Sequence, residues 1–349
     1  MYRYFRSALN QIASWIWSER IVHDNYFYDW EPKGLDMEDL QYVRPSRIIE
    51  LNWQNVKIPD EKWNICSGAK SFPSIRVYRL AELYLNSSTG LPLSQNKKII
   101  WDLLPPNFKL SSNTIPLREL LKKKNNKSTS SFQDQIYFIP QIRHRPNFFH
   151  WMFDTLGRFE FLEMAGYDLN QIKVLLPSNA TTWQMETLKA IGVTNENLEI
   201  APSGSICIHD ALITSTPRTS FRYDPLNCAW LRERIMDYYG IEKQRGAARK
   251  IFVLRKQQDG RAFLNEDELR AKFQPLGYEF YFLEELSFKE QVRLFSEAEI
   301  IIAAHGAALT NLLFAQNATI VEVFFDNFPS FYGLLAKTLG HNYSWIKVE

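Results

Sequence analysis

The stretch from Glu299 to Phe324, EIIIAAHGAALTNLLFAQNATIVEVF, constrains this chain more than any other. Ile300, Ile301, Ile302, Ala303 and Ala304 make a short apolar run with β-branched residues, which suits a strand covered on both faces of a parallel sheet. His305-Gly306 interrupts the run. Ala307 to Ala315 then carries good helix formers with apolar residues at helical spacing, and Thr319 to Phe324 returns as a strand. The pattern predicts a βαβ unit with a glycine at its first turn. In open α/β sheets ligands sit at such turns, outside the carboxyl ends of the strands. Gly306 lets the backbone approach closely, and the helix start offers free N–H groups and a positive dipole end to an anion. A diphosphate is the natural candidate, with His305, Thr310 and Asn311 beside it. A turn of this kind that binds nothing is the competing reading.

The rest of the chain gives that unit its setting. A length of 349 residues predicts two domains at ~150 residues each. A net charge of +2 gives no case for a general nucleic-acid binder. Cys66, Cys207 and Cys228 are few, odd in number and widely spaced, which argues against a disulfide framework and a zinc site and suits a reducing compartment. No apolar run approaches the ~18 residues of a membrane span, and the first residues lack a signal-peptide pattern. The expectation is a soluble, cytoplasmic protein.

Near the N-terminus Tyr2, Phe5, Leu9, Ile12 and Ile16 recur at helical spacing, with Arg3, Arg6, Trp15 and Trp17 nearby. A helix packed on its own domain is the commoner use of such a stripe; a basic amphipathic helix lying on a membrane surface is the alternative. From Ile75 to Trp101 short strands separated by turns predict an antiparallel β-meander. Arg118 to Ser131 is basic and then Ser/Asn-rich, as a solvated loop is. From Phe132 the pattern is regular α/β: Gln135–Pro140, Ile172–Pro177, Leu198–Ala201 and Ile206–Thr214 as strands, with helices over Asn147–Ala165, Thr182–Ile191 and Asn227–Tyr239. Gly240 to Lys250 is polar without apolar periodicity and reads as a linker. After it come strands over Ile251–Leu254 and Tyr278–Leu283, helices opened by Asn265 and Ser287, the central βαβ unit, and a last helix and strand. The expected division is a domain over 1–239 and another over 240–349.

Three further groups carry chemistry. His150 and Asp154, four apart in NFFHWMFDTLGRFEFLE, share one face of the predicted helix. Desolvation and pairing can poise such a couple as acid and base, although a plain surface pair is commoner. Arg255, Lys256 and Arg261 follow a strand at the carboxyl edge of the second sheet, where guanidinium groups would bind phosphate bidentately. Glu322 stands inside the strand TIVEVF, where a buried acid needs a partner: ribose hydroxyls or a salt bridge. The remaining histidines, His23, His144, His209 and His341, are scattered and read as structural or exposed.

HWMFDTLGRFEFLE, IFVLRKQQDGR followed by LNEDEL, and IIIAAHGAALTNLLFAQNATIVEVF resemble the ordered motifs of glycosyltransferase family 61, from about Arg76 to the C-terminus. The resemblance implies a GT-B fold: two Rossmann-like domains facing a central cleft, with the sugar nucleotide mostly on the C-terminal one. It implies inverting transfer with no essential metal and no cofactor, and the sequence has no Asp-X-Asp. Gly157 stands where the family commonly has proline, and Ala308 where it often has glycine. On this resemblance Asp154 is the expected base, with His150 orienting it or sharing the proton. Arg255, Lys256, Arg261 and the amides of Gly306 and Ala307 would hold the diphosphate, with His305 close by. Thr310, Asn311 and Glu322 would contact phosphate or ribose. The implied partners are a nucleotide-sugar donor and a glycan or lipid-linked glycan acceptor in bacterial surface polysaccharide assembly. The N-terminal helix would supply any contact with the inner face of the membrane. A polysaccharide pyruvyl transferase and a non-catalytic carbohydrate-binding or assembly protein are the alternatives.

Overall fold

The computed structural model describes residues 18–19, 37–44, 47–51, 68–72, 75–86, 91–93, 99–100, 130–140, 147–177, 180–202, 205–215, 217, 223–242, 249–256, 262–325 and 331–348. The expected N-terminal helix, the basic loop up to residue 129, most of the linker and Arg261 lie outside the described residues. The chain is mixed α/β with parallel strands and divides into two compact units. One comprises 1–47, 73–146 and 154–220; the other comprises 48–72, 147–153 and 221–349.

The strands of the first unit are β1 (Ser18–Glu19), β2 (Met37–Arg44), β5 (Ile75–Asn86), β6 (Leu91–Leu93), β7 (Ile99–Ile100), β8 (Ser130–Phe132), β9 (Ile136–Phe138), β10 (Ile172–Leu176), β11 (Leu198–Ile200) and β12 (Ser205–Thr214). Two further strands, β3 (Arg47–Leu51) and β4 (Gly68–Phe72), pair only with each other among the described residues. The large sheet runs β1-β7-β6-β5-β12-β9-β10-β11, with β2 alongside β5 and β8 alongside β12. β9, β10 and β11 are parallel, whereas β5 is antiparallel to β6 and to β12.

The predicted helix over 147–165 is three pieces: an α-turn at Phe148–His150, a π-helix at Trp151–Leu156, and α1 at Arg158–Met164. Asn147 caps the first piece, its side chain accepting from the His150 amide at 3.2 Å. In α1, Phe159 packs edge-on against Phe138 of β9 with ring centroids 5.0 Å apart. Arg158, fully buried, fastens α1 to the end of β12: Nε donates to the Asp154 carbonyl at 2.6 Å and Nη1 to the Thr214 carbonyl at 2.8 Å. Burial pushes this guanidinium down to about 10. α2 (Thr182–Ala190) follows β10 and opens on a capping box between Thr181 and Gln184.

The second unit carries α3 (Pro225–Tyr239), β13 (Arg249–Leu254), α4 (Glu266–Phe273), β14 (Tyr278–Phe282), α5 (Phe288–Ser296), β15 (Ala298–Ala304), β16 (Thr319–Phe324), α6 (Phe331–Thr338) and β17 (Asn342–Lys347). Its five strands are all parallel, in the order β14-β13-β15-β16-β17. Counted along the chain this is 2-1-3-4-5, a doubly wound order whose direction reverses between β13 and β15. The inner strands are apolar on both faces, with Ile251, Val253, Ile301, Ala303, Ile320 and Val323 buried. Ser287 caps α5 as expected, in a capping box with Glu290. Asn265 precedes α4 without a side-chain cap bond; its amide reaches Glu268 Oε2 at 3.4 Å instead.

The connection after β15 departs from the expected α-helix: Ala307–Phe314 is a 3-10 helix. Its Leu309, Thr310, Asn311, Leu312, Leu313 and Phe314 are all buried, so packing on every side overrides propensity. The longer rise per residue, ~2.0 Å, lets eight residues span more of the crossover than an α-helix would. His341 and Arg232 complete the seat. His341 Nε2 donates to the Leu312 carbonyl at 3.0 Å, its Nδ1 accepts from the Ala318 amide at 3.3 Å, and Arg232 Nε donates to the Leu313 carbonyl.

Candidate active site

β13 and β15 are parallel neighbours, with Val253 opposite Ala303. Arg255 and His305 therefore leave the sheet side by side, at the point where the strand order reverses. Open α/β sheets hold ligands there because the two chain continuations diverge and leave a crevice. Arg255 Nη1 donates to the His305 carbonyl at 3.0 Å, and its guanidinium lies against Gly306. A Cβ added at Gly306 would overlap Arg255 Nη1. Glycine here leaves the room in which the flexible Arg255 side chain lies over the turn, a use distinct from close approach to a ligand.

Beneath the turn, His305 is tied to the next strand. Its Nδ1 lies 2.6 Å from Glu322 Oε1, and the Tyr343 hydroxyl donates to Glu322 Oε2 at 2.6 Å. Glu322 is fully buried in β16 and His305 nearly so. A carboxylate desolvated to this degree is tolerated only because both oxygens accept short hydrogen bonds. The bond to Nδ1 fixes the ring's tautomer and turns Nε2 away from the carboxylate. Glu322 therefore acts on the histidine. Phe324 stacks on the ring at 5.1 Å, and Tyr332 meets it edge-on at 5.6 Å.

The same unit links the two family motifs. Phe149 lies 5.6 Å from Tyr332 and 5.4 Å from His150, so His150 and His305 sit at two ends of one aromatic row. Tyr223 extends it, with ring centroids 6.1 Å from Phe149 and 5.1 Å from Phe153. His150 is exposed at the solvent end. Asp154, half-buried, belongs to the first unit, because the chain passes from one unit to the other between Phe153 and Asp154. That passage falls inside the π-helix, whose i→i+5 bonding sets residues five apart over one another, so four-residue spacing no longer marks a common face. π turns are rare and recur at functional sites.

The other expected residues are placed as follows. Ala307 is half-buried at the start of the 3-10 helix. Thr310 and Asn311 are fully buried one turn further on. The Asn311 amide donates to Gln291 Oε1 at 3.1 Å and to the Ala308 carbonyl at 3.2 Å. Thr310 Oγ1 and Asn311 Oδ1 are buried without a hydrogen-bond partner among the described residues. Ala308, where glycine is common, is accommodated with its carbonyl in that network. Lys256 is exposed and pairs with Glu285 at 3.1 Å.

Tyr343, Tyr332 and Phe324 join the site without having been singled out. Tyr343 sits on the neighbouring strand at the level of Ile320, and only the sheet register brings its hydroxyl to Glu322. No helix of the described residues is long and apolar enough to cross a membrane.

The model of the family described as glycosyltransferase 61 matches residues 148–321, from the start of the π-bearing helix to the middle of β16. No curated protein matches the chain. The matched span carries both histidine motifs, the arginine at the strand reversal and the glycine turn, and it stops one residue short of Glu322. The chain belongs to glycosyltransferase family 61 and is a glycosyltransferase.

Proposed function

We propose that the enzyme moves a sugar from a nucleotide-sugar donor to a hydroxyl of a glycan or lipid-linked glycan, with inversion and without a metal ion in the transfer. Bacterial surface polysaccharide assembly is the setting, and a GT-B arrangement is part of the same reading. One observation carries it. Arg255 is laid over the Gly306 turn at the strand reversal of a 2-1-3-4-5 sheet. A guanidinium there offers a fork of donors to a diphosphate, beside the amides that open the 3-10 helix. It also supplies the positive charge a departing diphosphate needs, which is why no metal is assigned to the step.

In the transfer, a base takes the proton of the acceptor hydroxyl. The freed oxygen attacks the anomeric carbon as the bond to the diphosphate breaks, and the diphosphate leaves with the electron pair. Asp154 is the proposed base, assisted by His150. Arg255 and the Gly306 and Ala307 amides hold the leaving group, with Arg261 and Lys256 adding positive charge to that loop. His305, oriented by Glu322 and Tyr343, lines the same edge. Thr310 and Asn311 support the turn from below.

A thermal-shift panel of UDP-, GDP- and CDP-sugars tests the donor class. A matching ligand at about 100 times its Kd stabilises the protein by about 2.7 kcal/mol. One nucleotide series is expected to raise the melting temperature of the wild type and not that of Arg255→Ala. A panel without any shift, by the sugars or by the free nucleoside diphosphates, would overturn the reading.

A further inference from the structure

The first unit holds a second cluster of reactive side chains, far from any family motif in sequence. β5 and β12 pair antiparallel, with Tyr84 opposite Cys207 and Glu82 opposite His209. Leu83, Leu85, Ile206 and Ile208 point into the core. Strand alternation therefore sets Glu82, Tyr84, Cys207 and His209 together on the opposite face. Their atoms converge. Cys207 Sγ lies 3.2 Å from Glu82 Oε1 and 3.7 Å from His209 Nε2. All three atoms lie within 4.8 Å of one another, and the Tyr84 hydroxyl donates to Glu82 Oε1 at 2.9 Å.

A tetrahedral zinc ion with bonds of ~2.0–2.3 Å spaces its ligand atoms by ~3.5 Å. Two edges of the Glu82–Cys207–His209 triangle have about that length already. The donor set is one thiol, one imidazole and one carboxylate, a mixture that favours zinc and its neighbours and disfavours magnesium and calcium. The Tyr84 hydroxyl is held by its hydrogen bond to Glu82 Oε1 at 2.9 Å. As the donor in that bond it orients the carboxylate, as outer partners of metal ligands do.

We propose that Glu82, Cys207 and His209 form a binding site for Zn²⁺ or a closely similar divalent transition-metal ion, with Tyr84 positioning the Glu82 carboxylate. The ion would bridge two strands whose ligands lie 125 residues apart, and so staple β5 to β12. Binding replaces the thiol proton and the hydrogen bond from Sγ to Glu82, and the proton passes to solvent. The wide spacing of the cysteines spoke against a zinc site because such a reading sees only ligands close in sequence. The sheet register supplies the third ligand from a distant strand.

The proposal is independent of the donor reading, since its readout is a spectrum. The full chain, stripped with chelator, is titrated with Co²⁺ as the probe. One equivalent should bind and give the near-ultraviolet charge-transfer band of a cobalt thiolate, and Zn²⁺ should bleach it. Cys207→Ala should abolish the band, and Cys228→Ala should leave it intact. His209→Ala and Glu82→Gln, which each remove a ligand, should weaken binding by more than the about 10–100-fold that loss of an outer partner costs. Should Cys207→Ala fail to fold, His209→Ala, altered where the cluster reaches solvent, carries the test. A wild type without the band, a band that persists in Cys207→Ala, or an unchanged titration in His209→Ala would each overturn the site.

Discussion

His305 and Glu322 are 17 residues apart, the first just past the end of β15 and the second on the adjacent parallel strand β16, joined by one short crossover. Glu82 and Cys207 are 125 residues apart and meet because β5 and β12 pair antiparallel. Both clusters bring ionisable groups within hydrogen-bonding distance. In the second unit the crossover forces proximity, so the residues appear as one readable stretch of sequence. In the first unit proximity comes from sheet register, and nothing local announces it. Closeness in sequence makes a site legible; chemical density in space does not.

The sharpest way to break the comparison is to move the chemistry between units. If Asp154 is the base, Asp154→Asn keeps shape and hydrogen bonding but cannot take the proton. Its kcat should fall by roughly 10²–10⁴ while nucleotide affinity changes little. A near-normal kcat would place the base elsewhere, with His150 next to be tested.

A second effect lies wholly within the second unit. Gly306→Ala should drive the Arg255 guanidinium off the turn, because the added Cβ overlaps it. Arg255→Ala, Gly306→Ala and His305→Ala should each weaken nucleoside-diphosphate binding by about tenfold or more, roughly 1.4 kcal/mol. Arg255→Lys should not restore it, since a point charge lacks the fork. Calorimetry that finds Arg255→Ala and wild type binding UDP, GDP and CDP alike would remove this arginine from the site.

The third prediction concerns pH and the seat of the 3-10 helix. Burial pushes His341 down to about 4 from an ordinary 6.5. Between those values the unfolded chain binds more protons than the folded one, so stability rises with pH across the window. The contribution is fully present above about pH 6.5 and is lost as pH falls toward 4, about 3 kcal/mol in all. Denaturant melts at pH 7 and pH 4.5 measure it. His341→Gln should flatten the difference; an equal slope in both proteins would mean that another group sets it.

The smallest expected effect is none. EDTA should leave transfer intact at temperatures where the protein stays folded, because the diphosphate is assigned to basic side chains. Complete loss restored by manganese or magnesium would overturn the metal-free step. Loss with a lowered melting temperature, restored by zinc alone, would trace instead to the cluster on β5 and β12.

Local sequence determined a great deal here. The apolar β-branched run of β15, the His305-Gly306 break and the return at β16 are short-range patterns, and each lies where the pattern puts it. The capping box at Ser287 follows from two residues three apart. The family motifs could be read for the same reason, being contiguous. Tertiary structure decided what depends on burial and register. Packing on all sides turned Ala307–Phe314 into a 3-10 helix. The Trp151–Leu156 turn is π, although its spacing reads as α. Glu322 answers to His305 and Tyr343 because parallel register sets each of them two positions off its own level, diagonally on the same face of the sheet. Cys207 and His209, two apart on β12, meet Glu82 only once residues more than a hundred apart have paired, and that pairing energy is carried by the whole sheet.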